Sequence, residues 1–302
     1  MTYALVPFPT RIHIESTNIC NLDCLFCPYG RQTRQKGYMG IELCKKVIEE
    51  CQGHEVRLWL HFLGEPLLNR DLPAMVTFAK THGLPQVGFS TNGFFLTRGL
   101  GEKLIRAGLD RLECSVDGVD PASYQHLRRS RQFQRVVSNL QGFLELRNAM
   151  RSERPIVTIQ FMKTPETLAF LPQAQAFWKP LLRGRDFLMT IEDMSFAGEM
   201  RGARYRLDRQ PCKWLWNYLV VLWNGDVITC VSDYDGSRVM GNVRQQSLAA
   251  IWHSAAYEEL RRKHDERRFH DGGICAGCDD WALADGHGYL AVGGEKASPC
   301  DY

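Results

Sequence analysis

Apolar positions along this chain follow two periods that take turns. Runs with period two at residues 11–15, 56–62, 86–90, 111–116, 156–162 and 187–193 read as strands. Between them lie amphipathic stretches with helical period: GIELCKKVIEECQ, DLPAMVTFAKTHG, TRGLGEKLIRAG, DPASYQHLRRS with FQRVVSNLQGFLELRNAM, and LAFLPQAQAFWKPLLRG. In the second of these, Asp71 predicts an N-cap and Gly83 a C-terminal stop. Six β–α units in series predict an α/β fold with a parallel sheet and helices outside it. Pattern alone leaves open whether that sheet is doubly wound or a partial barrel.

Near residue 195 the period changes. SFAGEMRGARYRLDRQP, polar and rich in Gly and Arg, reads as a linker. YLVVLWNGDVITC reads as a hairpin turning on Asn224-Gly225, SLAAIWHSAAYEELRRKHDERR as one helix, and GGICAGCDDW as a tight metal-binding loop. Residues 282–302 are Gly-rich and predict irregular chain. The expected division is a core over 1–195 and a smaller domain over 196–302.

Composition narrows the class. At 302 residues with 44% hydrophobic content, the chain is long enough for a substantial core. A formal net charge of +3 suggests neither nucleic acid nor a membrane surface as partner. The N-terminus lacks a charged segment followed by an apolar one, so no secretory signal is expected. Eleven cysteines in clustered spacing argue for metal in a reducing compartment, the cytoplasm, rather than for a disulfide framework.

The chemistry is densest in CNLDCLFC, which follows the first strand. Cys20, Cys24 and Cys27 form C-x3-C-x2-C and offer three thiols at a strand's C-terminal end, where active sites of α/β folds gather. A cubane iron–sulfur cluster takes four ligands, so three cysteines leave one iron for a small molecule. A zinc knot is the competing reading, but zinc prefers four closed ligands and no fourth Cys or His lies near in sequence. Further along come Cys212, Cys230 and the C-x2-C pair Cys275 and Cys278. These four thiols can close around a cube completely or hold a zinc ion, and on ligand chemistry alone the two readings are even.

The C-x3-C-x2-C spacing, with Phe26 before the third cysteine, resembles the radical S-adenosylmethionine (SAM) family. The resemblance implies a (β/α)6 partial barrel and a [4Fe–4S] cluster on Cys20, Cys24 and Cys27. The open iron would bind SAM, and reductive cleavage of SAM would give a 5′-deoxyadenosyl radical that removes hydrogen from a substrate. LGEPLL resembles the family's Gly-Gly-Glu-Pro motif. Leu63 replaces the first glycine, while Gly64 and Glu65 are retained, the latter implied to hold the SAM amino group. STNG (Ser90, Asn92) and SVDG (Ser115), ending the third and fourth strands, are implied to bind the ribose hydroxyls or the SAM carboxylate. Of the neighbours Arg128 and Arg129, Arg128 is favoured as the arginine facing that carboxylate. The Gly225-x4-Cys230 element with the distal C-x2-C resembles the SPASM domain. The later cysteines of that domain are missing, so the resemblance is to its shortened form, Twitch, with one auxiliary [4Fe–4S] cluster on Cys212, Cys230, Cys275 and Cys278.

The expected function is a radical SAM oxidoreductase acting on a small polar molecule of sugar or aminocyclitol type. An electron donor such as flavodoxin or ferredoxin would serve it. His61, Glu192 and Asp193 are candidate substrate contacts. The alternatives are a peptide maturase, weighed against by the short stretch ahead of the first strand, and a redox-neutral epimerase using Cys300 as hydrogen donor. Cys44, Cys51 and Cys114 are expected in the core, with Cys114 facing away from the Ser115 side of its strand.

Overall fold

The computed structural model describes residues 3–192, 194–200, 208–270, 273–285 and 289–291. In chain order the core elements are β1 (Arg11–Ile14), α1 (Ile41–Glu50), β2 (Arg57–Trp59), α2 (Leu72–Thr81), β3 (Gln86–Thr91), α3 (Arg98–Arg106), β4 (Arg111–Ser115), α4 (Pro121–Arg128), α5 (Phe133–Ala149), β5 (Ile156–Met162), α6 (Pro165–Trp178) and β6 (Phe187–Ile191). There follow α7 (Trp214–Asn217), β7 (Tyr218–Val221), β8 (Asp226–Ile228), β9 (Gly241–Asn242), α8 (Leu248–Trp252), α9 (Ala255–Asp265) and β10 (Tyr289–Ala291).

β1 to β6 pair in sequence order, all parallel. This is the α/β architecture that alternating strand and helix periods demand. Ile12, Leu58, Val87, Phe89, Leu112, Cys114, Val157 and Ile159 pack outward against the helices in the main core, with no solvent exposure. Their neighbours on the opposite face line an interior cavity to which every one of the six strands contributes, from His13 on β1 to Ile191 on β6. A parallel sheet curved around a cavity open at the strands' C-terminal ends is a partial barrel.

The sheet runs on past the division expected at 195/196. β7 pairs parallel with β1, and β8 and β9 continue antiparallel, so the described strands form one ten-stranded sheet. The β7–β8 hairpin turns at Asn224-Gly225 as expected, with Gly225 at φ 97° and the Asn224 side chain accepting the Asp226 N–H at 3.1 Å.

Two local expectations are corrected and one is refined. The stretch read as one helix after residue 247 is two, because Ser254 turns its hydroxyl onto the Tyr257 N–H (3.4 Å) and caps a second helix as Ser247 caps the first. Asp71 holds the N-cap position of α2 as expected, but its side chain makes no capping hydrogen bond. Asn69 does the work there, accepting the Asp71 N–H at 2.9 Å while its amide holds the Ser16 and Met39 carbonyls. Residues 289–291, expected irregular, add an antiparallel strand to the edge of β6. Part of the linker, residues 201–207, lies outside the described residues, as do Asp193 and Cys300. No described helix is long and apolar enough to cross a membrane.

Candidate active site

The cysteine loop leaves the top of β1 and is tied down on both sides. Glu15, fully buried, takes a bidentate ion pair from Arg34 (2.6 and 2.8 Å) and accepts the Trp223 N–H at 3.2 Å. Asp235 accepts the backbone N–H of Thr33 (2.7 Å) and of Arg34 (3.2 Å), and Arg34 Nε donates to the Tyr234 carbonyl. The segment following Cys27 is thus fixed to the barrel and to the chain that follows Cys230. At the end of β2, a Cβ on Gly64 would sit 2.3 Å from the Thr17 carbonyl oxygen and 2.8 Å from that of Ile19. Only glycine allows the second strand end to meet the cysteine loop this closely.

Cys20, Cys24 and Cys27 line one cavity of about 320 Å³. The Leu22 N–H donates to Cys20 Sγ at 3.5 Å, and Arg128 Nη1 lies 3.5 Å from Cys24 Sγ. Burial pushes the Cys20 and Cys27 thiols up to about 12. Thiols so placed ionise when a metal centre supplies the compensating positive charge, so the donor set fits a metal cluster. Among the described residues, no three Cys, His, Asp or Glu side chains converge on a point suited to one metal ion.

The other strand ends complete the rim. Glu65 is buried. Its Oε1 accepts the Leu67 N–H (3.0 Å) and the Thr91 hydroxyl (2.7 Å), and Oε2 accepts the Asn92 N–H (2.8 Å). A carboxylate has about four acceptor positions, which leaves one on Oε2. Burial raises the Glu65 carboxyl, against these hydrogen bonds. The Asn92 amide holds Asn21 Oδ1 at 2.9 Å. Ser115 donates to Gln160 Oε1 at 3.0 Å, so the 3.2 Å contact between Ser90 and Ser115 has Ser90 as donor. These three residues form a polar row across β3, β4 and β5 on the cavity wall. His61 also lines the cavity. Its Nδ1 accepts the Ser90 N–H at 3.1 Å, which puts the proton on Nε2, and burial lowers it to about 4. Glu192 lines the opposite wall and pairs with Lys163.

Arg128 and Arg129 part company here. Arg128 is buried in the wall, pairs with Asp117 and covers the Phe26 ring at 5.3 Å. Arg129 is half-exposed and pairs with Asp23 at 3.1 Å. Cys44, Cys51 and Cys114 are fully buried in the apolar core, with Cys114 on the face opposite Ser115.

The second group of cysteines comes together from three places. Cys212 precedes α7, Cys230 follows β8, and Cys275 and Cys278 sit in the loop before Asp280. Burial is the main influence raising all four thiols, Cys278 up to about 12; Cys230, Cys278 and Cys275 add to it at Cys212, Cys275 and Cys278 at Cys230, and Cys275 at Cys278. His264 Nδ1 accepts the Cys212 N–H at 3.2 Å, and Arg209 holds the Cys275 carbonyl at 2.6 Å. Asp280 anchors the loop, taking the Ser195 N–H (2.7 Å) and hydroxyl (3.0 Å) and the Ser232 hydroxyl (2.8 Å). Four neighbouring thiols, Cys230 buried and the other three partly buried, fit a fully ligated cluster.

Sequence reasoning missed Asp117, the partner of Arg128, and the inner-face residues Arg11, His13, Glu113 and Gln160. The signal was present in the period of β4. Counting back from Ser115 by twos puts Glu113 and Arg111 on the same side.

Residues 14–154 match the radical SAM superfamily, and residues 212–279 match SPASM, an iron–sulfur cluster-binding domain. The chain thus carries a radical SAM domain and, C-terminal to it, a SPASM domain. The first domain implies a [4Fe–4S] cluster and SAM, the second an auxiliary cluster. Among relatives, a probable GTP 3′,8-cyclase of Methanococcus maripaludis is 30% identical over 134 residues, 44% of this chain and 45% of that one. The chain therefore matches only about half the length of that relative. An S-adenosyl-L-methionine-dependent 2-deoxy-scyllo-inosamine dehydrogenase of Niallia circulans is 23% identical over 276 residues, 90% of this chain and 93% of the relative. In fold, the chain is similar to BtrN crystallised with AdoMet and 2-DOIA, with 20% identity, a TM-score of 0.62, and coverage of 92% of this chain and 94% of that one.

Proposed function

We propose that this protein cleaves SAM reductively and uses the resulting radical to oxidise a small polar substrate of sugar or aminocyclitol type. The observation that carries the reading is the single cavity whose wall runs from Cys20, Cys24 and Cys27 to Val231, the residue after Cys230. A substrate in that cavity lies between both cysteine sites. Cys20, Cys24 and Cys27 would hold the cluster that gives the electron for SAM cleavage, and Cys212, Cys230, Cys275 and Cys278 would hold one able to accept an electron.

The chain's own residues then have distinct tasks. The remaining acceptor position on Glu65 Oε2 takes the SAM ammonium, and Asn92 and the Ser90–Ser115 row take its hydroxyls. The Arg128 guanidinium, held by Asp117, presents positive charge to its carboxylate. His61 and Glu192 line the part of the cavity left for substrate, residues 1–195 form the catalytic core, and 196–302 hold the auxiliary site. An external carrier of flavodoxin or ferredoxin type delivers electrons. A cyclase reading has the higher identity behind it, but over 44% of the chain; the dehydrogenase match covers 90%.

Product mass in deuterated water tests the reading, with 2-deoxy-scyllo-inosamine as probe and reconstituted, reduced protein. Loss of two hydrogens, with one 5′-deoxyadenosine per product, is expected. Retained oxidation level with one deuterium gained would reassign the protein as an epimerase, and conversion of GTP instead would favour the cyclase.

A second expectation concerns Glu65→Gln. Every group facing the carboxylate is a donor, so the amide turns its own N–H₂ toward one of them. SAM affinity should fall by about 1.5–3 kcal/mol from the lost charge-assisted bond. The thermal midpoint should drop as well, because Glu65 ties together the ends of β2 and β3. Titration calorimetry with SAM and a thermal melt check both, and an unchanged SAM dissociation constant would remove Glu65 from the binding site.

A further inference from the structure

The buried acids of this fold have their partners within the chain. Glu15 has Arg34, Asp110 has Lys80 and Arg154, Asp117 has Arg128, Asp186 has Arg147, and Glu65 and Asp280 each accept several donors. Glu113 differs. It is 7% exposed and lines the central cavity, yet it has neither a hydrogen bond nor an ion pair with any described residue. Arg111 and Arg11 act on it only at longer range. A buried carboxyl without partners is a costly feature unless whatever fills the cavity satisfies it.

Resting on the oxidative reading above, we infer that Glu113 takes the proton from the hydroxyl or amine on the substrate carbon that is oxidised. Conversion of a carbinol to a carbonyl removes two hydrogens. One leaves carbon as a hydrogen atom and forms the new C–H bond of 5′-deoxyadenosine. The other leaves oxygen as a proton and forms an O–H bond on the Glu113 carboxylate. A cluster held by the SPASM cysteines would, in its oxidised state, be the acceptor for the electron left on the substrate as the C=O double bond completes. An amine substrate follows the same balance and gives an imine.

The surroundings suit this role. Burial holds the Glu113 carboxyl up at about 7, against Arg111 and Arg11, so ionised and protonated forms are both accessible near neutrality. Among the described residues, the other titratable or charged groups on this cavity are Arg11 and His13 from β1, Cys20, Cys24 and Cys27 on the loop after it, His61 and Glu65 after β2, Asp117 after β4 with Arg128 from α4, and Glu192 after β6, paired with Lys163; Arg111 lies on Glu113's own strand. Burial lowers both histidines, His61 to about 4, so they stay neutral where Glu113 titrates. Product formation should therefore rise through neutral pH as Glu113 ionises.

The test compares reconstituted wild type with Glu113→Gln and Glu113→Asp, each checked for full iron content, using 2-deoxy-scyllo-inosamine. Glu113→Gln should still form 5′-deoxyadenosine, while oxidised product per 5′-deoxyadenosine falls about a hundredfold, within the span of general-base catalysis. The acid limb near neutrality should vanish, and Glu113→Asp should recover part of the coupling. Wild-type coupling with an unchanged acid limb in Glu113→Gln would overturn the assignment. Infrared difference spectra across neutrality give a readout without turnover. A protonated-carboxyl band should titrate near neutral pH, shift when the probe is added, and be missing from Glu113→Gln; a wild type without that band, or with a band the probe leaves unmoved, would equally overturn it. If wild type leaves the probe unoxidised but the band shifts, the oxidative reading fails while Glu113 stands as the cavity's substrate-facing group.

Discussion

With Cys20, Cys24 and Cys27 all changed to alanine, anaerobically reconstituted protein should hold about four irons instead of about eight and form no 5′-deoxyadenosine. The three thiols share one cavity wall, and no other cysteine among the described residues can replace them. Cys44, Cys51 and Cys114 face the apolar core on the far side of the sheet. The remaining irons should stay, because the four C-terminal thiols gather around a separate site with its own supports in His264, Arg209 and Asp280. Iron analysis combined with electron paramagnetic resonance of the reduced protein separates the two centres. A triple variant that still cleaves SAM would overturn the assignment of the first site. Wild type holding one cluster plus stoichiometric zinc would overturn the second.

How much of this site could be read in the sequence depended on how its parts are spaced. CNLDCLFC, LGEP, STNG and SVDG each carry their chemistry within a few consecutive residues at a strand end. A parallel sheet brings all such ends to one rim, so finding the strands was enough to bring the motifs together. Residues whose meaning comes from a partner on another element were harder to read. Asp117 is an ordinary turn residue in sequence, and only the fold sets it against Arg128 from the following helix. Glu113 reads as one more polar position of an alternating strand until barrel curvature turns that face inward and away from water. The pairing of β7 beside β1 was equally hidden. A parallel contact between strands some two hundred residues apart leaves no local pattern. The break between α8 and α9 was visible as Ser254, but a serine inside a helical period is ambiguous until its hydroxyl is seen on the Tyr257 N–H.

The Arg128–Asp117 pair should be the most expensive single contact to break near the site. Both side chains are buried, at 9% and 1% exposure, and Arg128 also reaches Cys24 Sγ while the Leu127 carbonyl accepts the Leu25 N–H at 3.0 Å. The end of α4 thus carries a charge for the cavity and a backbone tie for the cysteine loop. Arg128→Ala leaves the Asp117 carboxylate with the Met162 N–H as its remaining described partner. Stranding a buried charge in this way costs about 3–5 kcal/mol. Burial already raises the Asp117 carboxyl, with Arg128 the main opposing influence, so loss of Arg128 raises it further. The sign follows from linkage. A carboxyl raised above its unfolded value binds more protons in the native state, so stability falls as pH rises through the folded value. The deficit of Arg128→Ala relative to wild type should therefore be largest at neutral and alkaline pH and shrink on acidification. Adding Asp117→Asn should recover much of the loss by removing the stranded charge, and should restore neither the guanidinium nor tight SAM binding. Thermal melts of both variants and wild type across acidic to neutral pH, with SAM titrations on the same samples, separate the two effects. Equal melting of Arg128→Ala and wild type at neutral pH would show that the pair contributes no net stability, and unchanged SAM affinity in both variants would remove Arg128 from the binding site.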